Sequence, residues 1–330
     1  MTKATEPKVK VEGMSRLIPA SRLGVVTLGV SSAEGALEKS GLNWEVVKSE
    51  SPVSVPIMTK NGLESVTHEG RFITYRTSDS GFSTALGVVG DSYNVIQNAE
   101  AFSFLDNLVD ESGAEFASAG QLKGGASVFV NMKMPNTLHF ANGTDSVNMY
   151  LMVTTSHDGS KAFTACVTPM RLICTNQIRI ATRTAISKFS LRHTRNSTGK
   201  INEARVALGL VHEYEIAFQN SVNELINQEM KMDEFKKFVD VLVPDRFKGD
   251  TTTITNSVER TKSELMGLWN SPTQTVVGNT KWAAYNAVAE WADWFKPVRG
   301  NRGEEIERAE RIVSGATDGL KDKAYALLTR

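Results

Sequence analysis

The chain predicts an α+β fold: a central antiparallel sheet of hairpins with packed helices, followed by a helical C-terminal region. Three observations carry this. The middle of the chain alternates β-preferring runs with tight-turn residues, a segment opening at Pro169 has helical spacing, and apolar residues recur at helical spacing from Ile201 onward. The expected organisation is a mobile N-terminal arm over residues 1–20, an α+β core with a basic helix over 21–200, and a helical region over 201–330 packed on the core.

The first sixty or so residues hold several turn formers and one strand around Trp44, Val46 and Val47. Arg71–Thr77 mixes polar with β-preferring residues and reads as a strand, and Ala85–Val89 is a short apolar run closed by Gly90-Asp91. Asn98 reads as the N-cap of a helix over Ala99–Val109, because Ala101, Phe102, Leu105, Leu108 and Val109 share one face; Gly113 ends it.

Four strands follow. Glu115–Leu122 and Ala126–Met134 flank the Lys123-Gly124-Gly125 turn, and Val147–Thr155 and Ser160–Val167 flank Ser156–Gly159. Asp158-Gly159 is a strong hairpin signal, since both residues tolerate the positive φ of a type I′ turn. Pro169, acceptable in a first helical turn, predicts a helix through about Ile186. Further helices are expected over Ile201–Lys231, Asp233–Val243, Ile254–Trp269, Thr280–Phe295 and Glu304–Val313, most of them stopped by a nearby Pro or Gly.

Charge supplies the main functional clue. The chain balances 37 basic against 37 acidic residues, yet between Gly159 and Ile201 it carries Lys161, Arg171, Arg179, Arg183, Lys188, Arg192, Arg195 and Lys200, with His193, and no carboxylate. Positive charge so concentrated points to a polyanionic partner. On the expected helix Arg171, Thr175, Arg179 and Arg183 recur every four residues as one outward stripe, with Met170, Ile173, Cys174, Ile180 and Ala181 opposite. A solvated charged face is the plainer alternative, but no acidic residue alternates with the basic ones. Arg192–Ser197 groups Arg forks, hydroxyls and an amide, all suited to phosphate oxygens.

Weaker candidates for phosphate contact are His157 and Ser160 in the hairpin turn and Asn279, Thr280 and Lys281 at a helix start, where free N–H groups can hold an anion. Capping alone also explains Asn279 or Thr280. Trp269, Trp282, Trp291 and Trp294 crowd into one late stretch, where core packing outweighs a base-stacking platform. Phe163 is likewise read as core.

Several classes are disfavoured. The sequence has no P-loop, no strand-borne Gly-x-Gly-x-x-Gly, no Cys/His metal spacing and no set of acidic residues suggesting a two-metal site, so no cofactor and no metal are expected. Cys166 and Cys174 are expected as reduced, buried thiols. No apolar run approaches the roughly 18 residues of a membrane span, and the polar start lacks a secretory core, so a cytoplasmic location (a bacterial host's) is expected.

Tyr93–Asn98, Ser156–Ser160, Pro169–Asn176, Arg192–Thr194 and Gly278–Trp282, in that order across about residues 40 to 325, resemble the phage/plasmid-like proteins grouped as domain of unknown function 932. Gln177 departs from the apolar residue expected after that Cys-x-Asn-like run. The resemblance implies a mobile-element origin. Paired hairpins followed by a basic helix are also similar in outline to the ring-forming single-strand annealing proteins of phages. Together with the basic segment, this makes ATP-independent binding and annealing of single-stranded DNA the leading expectation, in phage or plasmid recombination or replication. A homo-oligomer and, as protein partners, a phage exonuclease or single-strand-binding protein go with it. The alternatives are an enzyme acting on nucleic acid or nucleotide through His157, Asp158, Lys161 and His193, and a non-enzymatic phage structural or host-interaction protein.

Overall fold

The computed structural model describes residues 19–77, 81–180, 188–190, 197–245 and 256–330. Helix α1 (Pro19–Leu23) leads into strand β1 (Gly24–Val26), then α2 (Ala33–Lys39), whose N-cap Ser32 accepts a hydrogen bond from the Gly35 N–H. Strands β2 (Val46–Lys48), β3 (Val53–Thr59), β4 (Gly62–His68), β5 (Arg71–Thr77) and β6 (Ser83–Gly90) follow. β2, β5 and β6 form a three-stranded sheet, and β3 and β4 a separate hairpin. The strands expected near residue 46, at 71–77 and over 85–89 are all present. Helix α2 and the β3–β4 hairpin were not anticipated. In β3 the run Ser54-Val-Pro-Ile57 mixes a strand-breaking proline into the pattern, and both faces of the hairpin are largely exposed.

The helix expected over 99–109 is two, α3 (Asn98–Phe102) and α4 (Leu105–Ser112), the second ended by Gly113 at φ 72°. Gln97, not Asn98, occupies the N-cap. Asn98 turns inward instead: its amide donates to the Leu42 carbonyl at 2.8 Å, and its oxygen meets His157 Nε2 at 2.9 Å.

Strands β7 (Glu115–Leu122), β8 (Ser127–Phe140), β9 (Asp145–Ser156), β10 (Thr164–Arg171) and β11 (Lys188–Ser190) join β1 in a six-stranded sheet ordered β1-β7-β8-β9-β10-β11, every neighbouring pair antiparallel. Lys123, Gly124 and Gly125 turn β7 into β8 at φ 50°, 68° and 103°. The β9–β10 connection runs from His157 to Phe163, and of Asp158 and Gly159 only Gly159 has positive φ, so it is not a type I′ turn. Asp158 instead accepts the Ser160 N–H at 2.9 Å, a side-chain-closed turn.

The largest correction concerns Pro169. It lies in β10 opposite Met149, and no helix follows it through Ile180; residues 181–187 are outside the described residues. A proline lacks the ladder donor, but Pro169 presents its backbone away from β9, its carbonyl accepting from the Ile178 N–H at 2.9 Å. Chain reversal at Thr175 (φ 50°) then brings Gln177 back beside Met170. The four-residue arginine spacing therefore describes no helix face.

Helices α5 (Ser197–Ile226), α6 (Met232–Leu242), α7 (Asn256–Trp269), α8 (Pro272–Thr275), α9 (Lys281–Glu290), α10 (Glu304–Val313) and α11 (Asp318–Leu328) complete the fold, with a π turn over Trp291–Phe295 after α9. Val128, Val130 and Met132 of β8 enter one large core with Val211, Phe218 and Val222 of α5 and with Trp282 and Val288 of α9. Alternate residues leave by the other face, where Phe129, Leu122 and Met152 meet Ala20 of α1 and Val313 of α10. Trp282 is fully buried and stacks on Tyr285, and Trp269 stacks on Phe235, so these aromatics are core; Phe163 is core as well. The fold is α+β, its C-terminal part helical. No helix among the described residues is long and apolar enough to cross a membrane.

Candidate functional site

The basic segment resolves into three groups. Arg183, Arg192, His193 and Arg195 lie outside the described residues, and Lys200 is placed on α5 without a described side chain. Arg171 and Arg179 are engaged by carboxylates, and Lys161 and Lys188 are exposed.

Arg171 is fully buried and cannot meet a phosphate. Its Nε donates to Asp145 at 2.8 and 3.0 Å, and its Nη1 donates to Gln274 Oε1 at 2.9 Å. Asp145 also accepts the Trp282 indole N–H at 2.7 Å, and Gln274 passes the chain on to Glu290 at 2.8 Å. A second buried pair, Lys321 with Asp293 at 2.6 Å, sits beside it; Asp293 accepts the Gln177 N–H while Lys321 donates to the Gln177 carbonyl. These contacts staple residues 171–179 between the sheet and the C-terminal helices. The sequence segment lacks carboxylates, but other elements deliver them in space. That is why Arg171 and Arg179 form no exposed stripe; Arg183 lies outside the described residues.

Arg179 is 37% exposed and bridges Asp318 at 3.1 Å and Asp322 at 3.3 Å, both on α11. Its backbone is pinned too, the N–H donating to the Tyr285 hydroxyl at 2.8 Å. Burial and the adjacent Arg179 and Lys321 act in opposite directions on Asp318; burial dominates and raises its pKa.

His157 is also withdrawn. Its side chain is wholly buried against Trp44, 5.4 Å between ring centres, with Nε2 on Asn98 and its carbonyl accepting from Thr74 at 2.6 Å. Burial lowers its pKa to about 4, only partly opposed by Asp158. It is a neutral structural histidine, so a phosphate contact there, or a His157–Asp158–Lys161 catalytic set, is not assembled. Thr280 is spent as a cap, accepting the Ala283 N–H at 3.2 Å; the Asn279 carbonyl accepts from Met230, and Lys281 donates to the Leu328 carbonyl at 2.7 Å. None of these three lines the cavity described next. Both cysteines are free thiols, Cys174 buried and Cys166 half-buried.

What remains forms a site. In a meander, alternate turns lie at the same end of the sheet, so the β7–β8 and β9–β10 turns bring Lys123 beside Lys161. Lys188, on the short edge strand, pairs with Cys166 in register, which places both side chains on one face. All three lysines are exposed, and none makes an ion pair among the described residues. Burial, then the charges of Lys123 and Lys188, depress the Lys161 pKa, with Asp158 opposing. Beside Lys161 and Lys188 opens a cavity of about 380 Å³, lined also by Arg179, Asp318 and Ser160. Its floor carries Thr154 and Thr164, whose hydroxyls hydrogen-bond at 2.9 Å. Lys123 and the floor were not anticipated, although the order of turns would have located Lys123. Among the described residues no group of His, Cys, Asp and Glu could hold a metal ion.

The lysine end thus belongs to a six-stranded antiparallel sheet with helices on both faces. The chain does match over residues 85–313 the family described as a domain of unknown function (DUF932), and it belongs to that family. No curated protein and no solved structure matches it.

Proposed function

We propose that the protein binds single-stranded DNA at the lysine-bearing end of its sheet and anneals complementary strands. The observation that carries this reading is the convergence of Lys123, Lys161 and Lys188 from three separate elements, each exposed and without an ion-pair partner among the described residues. Asp158 offsets the mutual repulsion of the three ammonium groups only in part, and a row of phosphates would offset the rest at successive positions. Lysine contacts of this kind read the backbone and carry no base sequence, as sequence-tolerant annealing requires.

The test is fluorescence anisotropy with a labelled oligonucleotide over a salt series, together with an annealing assay on complementary strands. Wild-type protein is expected to bind without sequence preference. The combined Lys123→Glu, Lys161→Glu and Lys188→Glu variant is expected to lose most affinity and to flatten the log–log salt slope by about 2, at roughly 0.7 per phosphate contact on a single strand. Unchanged affinity in that variant would overturn the site, and binding without strand pairing would remove annealing.

A further inference from the structure

We infer that the cavity beside Lys161 and Lys188 is a subsite for one unstacked nucleotide of the bound strand, with its phosphate at the lysines and its base on the floor. This rests on the single-strand reading above and adds a pocket to it. Register fixes the floor: Thr164 lies opposite Thr154 and Ser190, and Cys166 lies opposite Met152 and Lys188, so one face of three strands is presented together.

The chemistry of the walls divides in two. The ammonium groups of Lys161 and Lys188 and the guanidinium of Arg179, itself bridged to Asp318, share the lining with apolar surface from Met152 and Val313 on the same face of the sheet. The Thr154–Thr164 hydroxyl pair adds hydrogen-bonding capacity between them. Cationic groups beside a mixed apolar and hydroxyl floor match a molecule that is anionic at one end and flat, weakly polar at the other. The volume, about 380 Å³, falls within the range of pockets that hold small ligands. A bare phosphate would leave the apolar part of the lining uncovered, and an apolar ligand would leave Lys161 and Lys188 unmatched, Arg179 being already held by Asp318 and Asp322. A nucleoside monophosphate unit meets both.

Cys166 provides a reporter, because it lines this cavity whereas Cys174 is fully buried in the core. Alkylation of Cys166 by a maleimide is followed by mass spectrometry on the full chain, with and without a deoxynucleoside monophosphate, inorganic phosphate at equal concentration, or a short oligonucleotide. Saturating nucleotide and oligonucleotide are each expected to slow modification at least five-fold, and phosphate alone less than two-fold. Equal protection by phosphate would overturn the nucleotide assignment. If oligonucleotides bind with the lysine-dependent salt slope yet leave the alkylation rate unchanged, the subsite falls while strand binding stands. Protection by the mononucleotide without any oligonucleotide binding would keep the pocket and sink the single-strand reading. A Thr164→Met variant, which fills the floor without altering charge, is expected to weaken oligonucleotide binding several-fold with the salt slope unchanged.

Discussion

The Arg171 Nε donates to both carboxylate oxygens of Asp145, at 2.8 and 3.0 Å, with both side chains sealed from water. Asp145 opens β9 and Arg171 closes β10, so the pair clamps the end of the sheet opposite the lysines and anchors the reversal at Thr175. Removing one member leaves the other as an uncompensated buried charge. Asp145→Ala is expected to destabilise the fold by about 3–5 kcal/mol, measured by urea unfolding. A loss under about 1 kcal/mol would mean that water enters the site freely.

The carboxylates of α11 compete with any anion for Arg179. Under the single-strand reading, Asp318→Asn with Asp322→Asn frees the guanidinium that lines the cavity, so oligonucleotide affinity is expected to rise several-fold. Stability should fall by no more than about 1 kcal/mol, since Arg179 and Asp322 are both more than a third exposed and screened by solvent, and burial already disfavours the charge on Asp318. Weaker binding in the double variant would show that Asp318 shapes the site rather than blocking it.

Acid sensitivity has a specific source in His157. Its folded pKa, lowered by burial to about 4, lies below the usual 6.5, so the unfolded chain binds the proton first. The stabilising contribution is complete above about pH 6.5 and is lost as pH falls toward 4. The expected loss at pH 5 is about 2 kcal/mol relative to pH 7. His157→Gln should have a lower stability at pH 7 and a flatter profile from pH 7 to 5. Parallel profiles in urea unfolding would clear His157 of the effect.

Gly87 shows how closely the small sheet is pressed onto the large one. A Cβ at this position would lie 2.6 Å from the Asp158 Cα, in the turn that carries Lys161. Backbone cannot yield there as a flexible side chain would. Gly87→Ala is therefore expected to cost about 1–3 kcal/mol in thermal or urea unfolding and to weaken oligonucleotide binding by shifting that turn. A neutral substitution would show that the two sheets separate easily.

Much of the fold was legible. Arg71–Thr77 and Glu115–Leu122 announce themselves through β-preferring composition between turn residues, and both strands occupy those positions. Glu304–Val313 is marked by its acidic first turn and by Gly315 beyond its end, and it is a helix at those bounds. The Pro169 segment misled because Arg171, Thr175 and Arg179 fit a helical period that the backbone never adopts. Proline is as compatible with a strand whose N position faces away from the ladder as with a first helical turn. Among the described candidate cations, Lys161 and Lys188 lie exposed beside the cavity, and Lys123 went unnoticed because it sits thirty-odd residues upstream.

Local order of residues alone determined that hairpins precede helices, that Trp269, Trp282 and Trp291 are core, and that positive charge is concentrated in one stretch. Those properties depend on neighbours in the chain, through turn dihedrals and apolar periodicity. Which cations stay free was decided only by tertiary structure, because Asp145, Asp318 and Asp322 reach Arg171 and Arg179 from distant elements. Coulomb attraction depends on distance in space, and a meander that returns every second turn to one end sets that distance without regard to sequence separation.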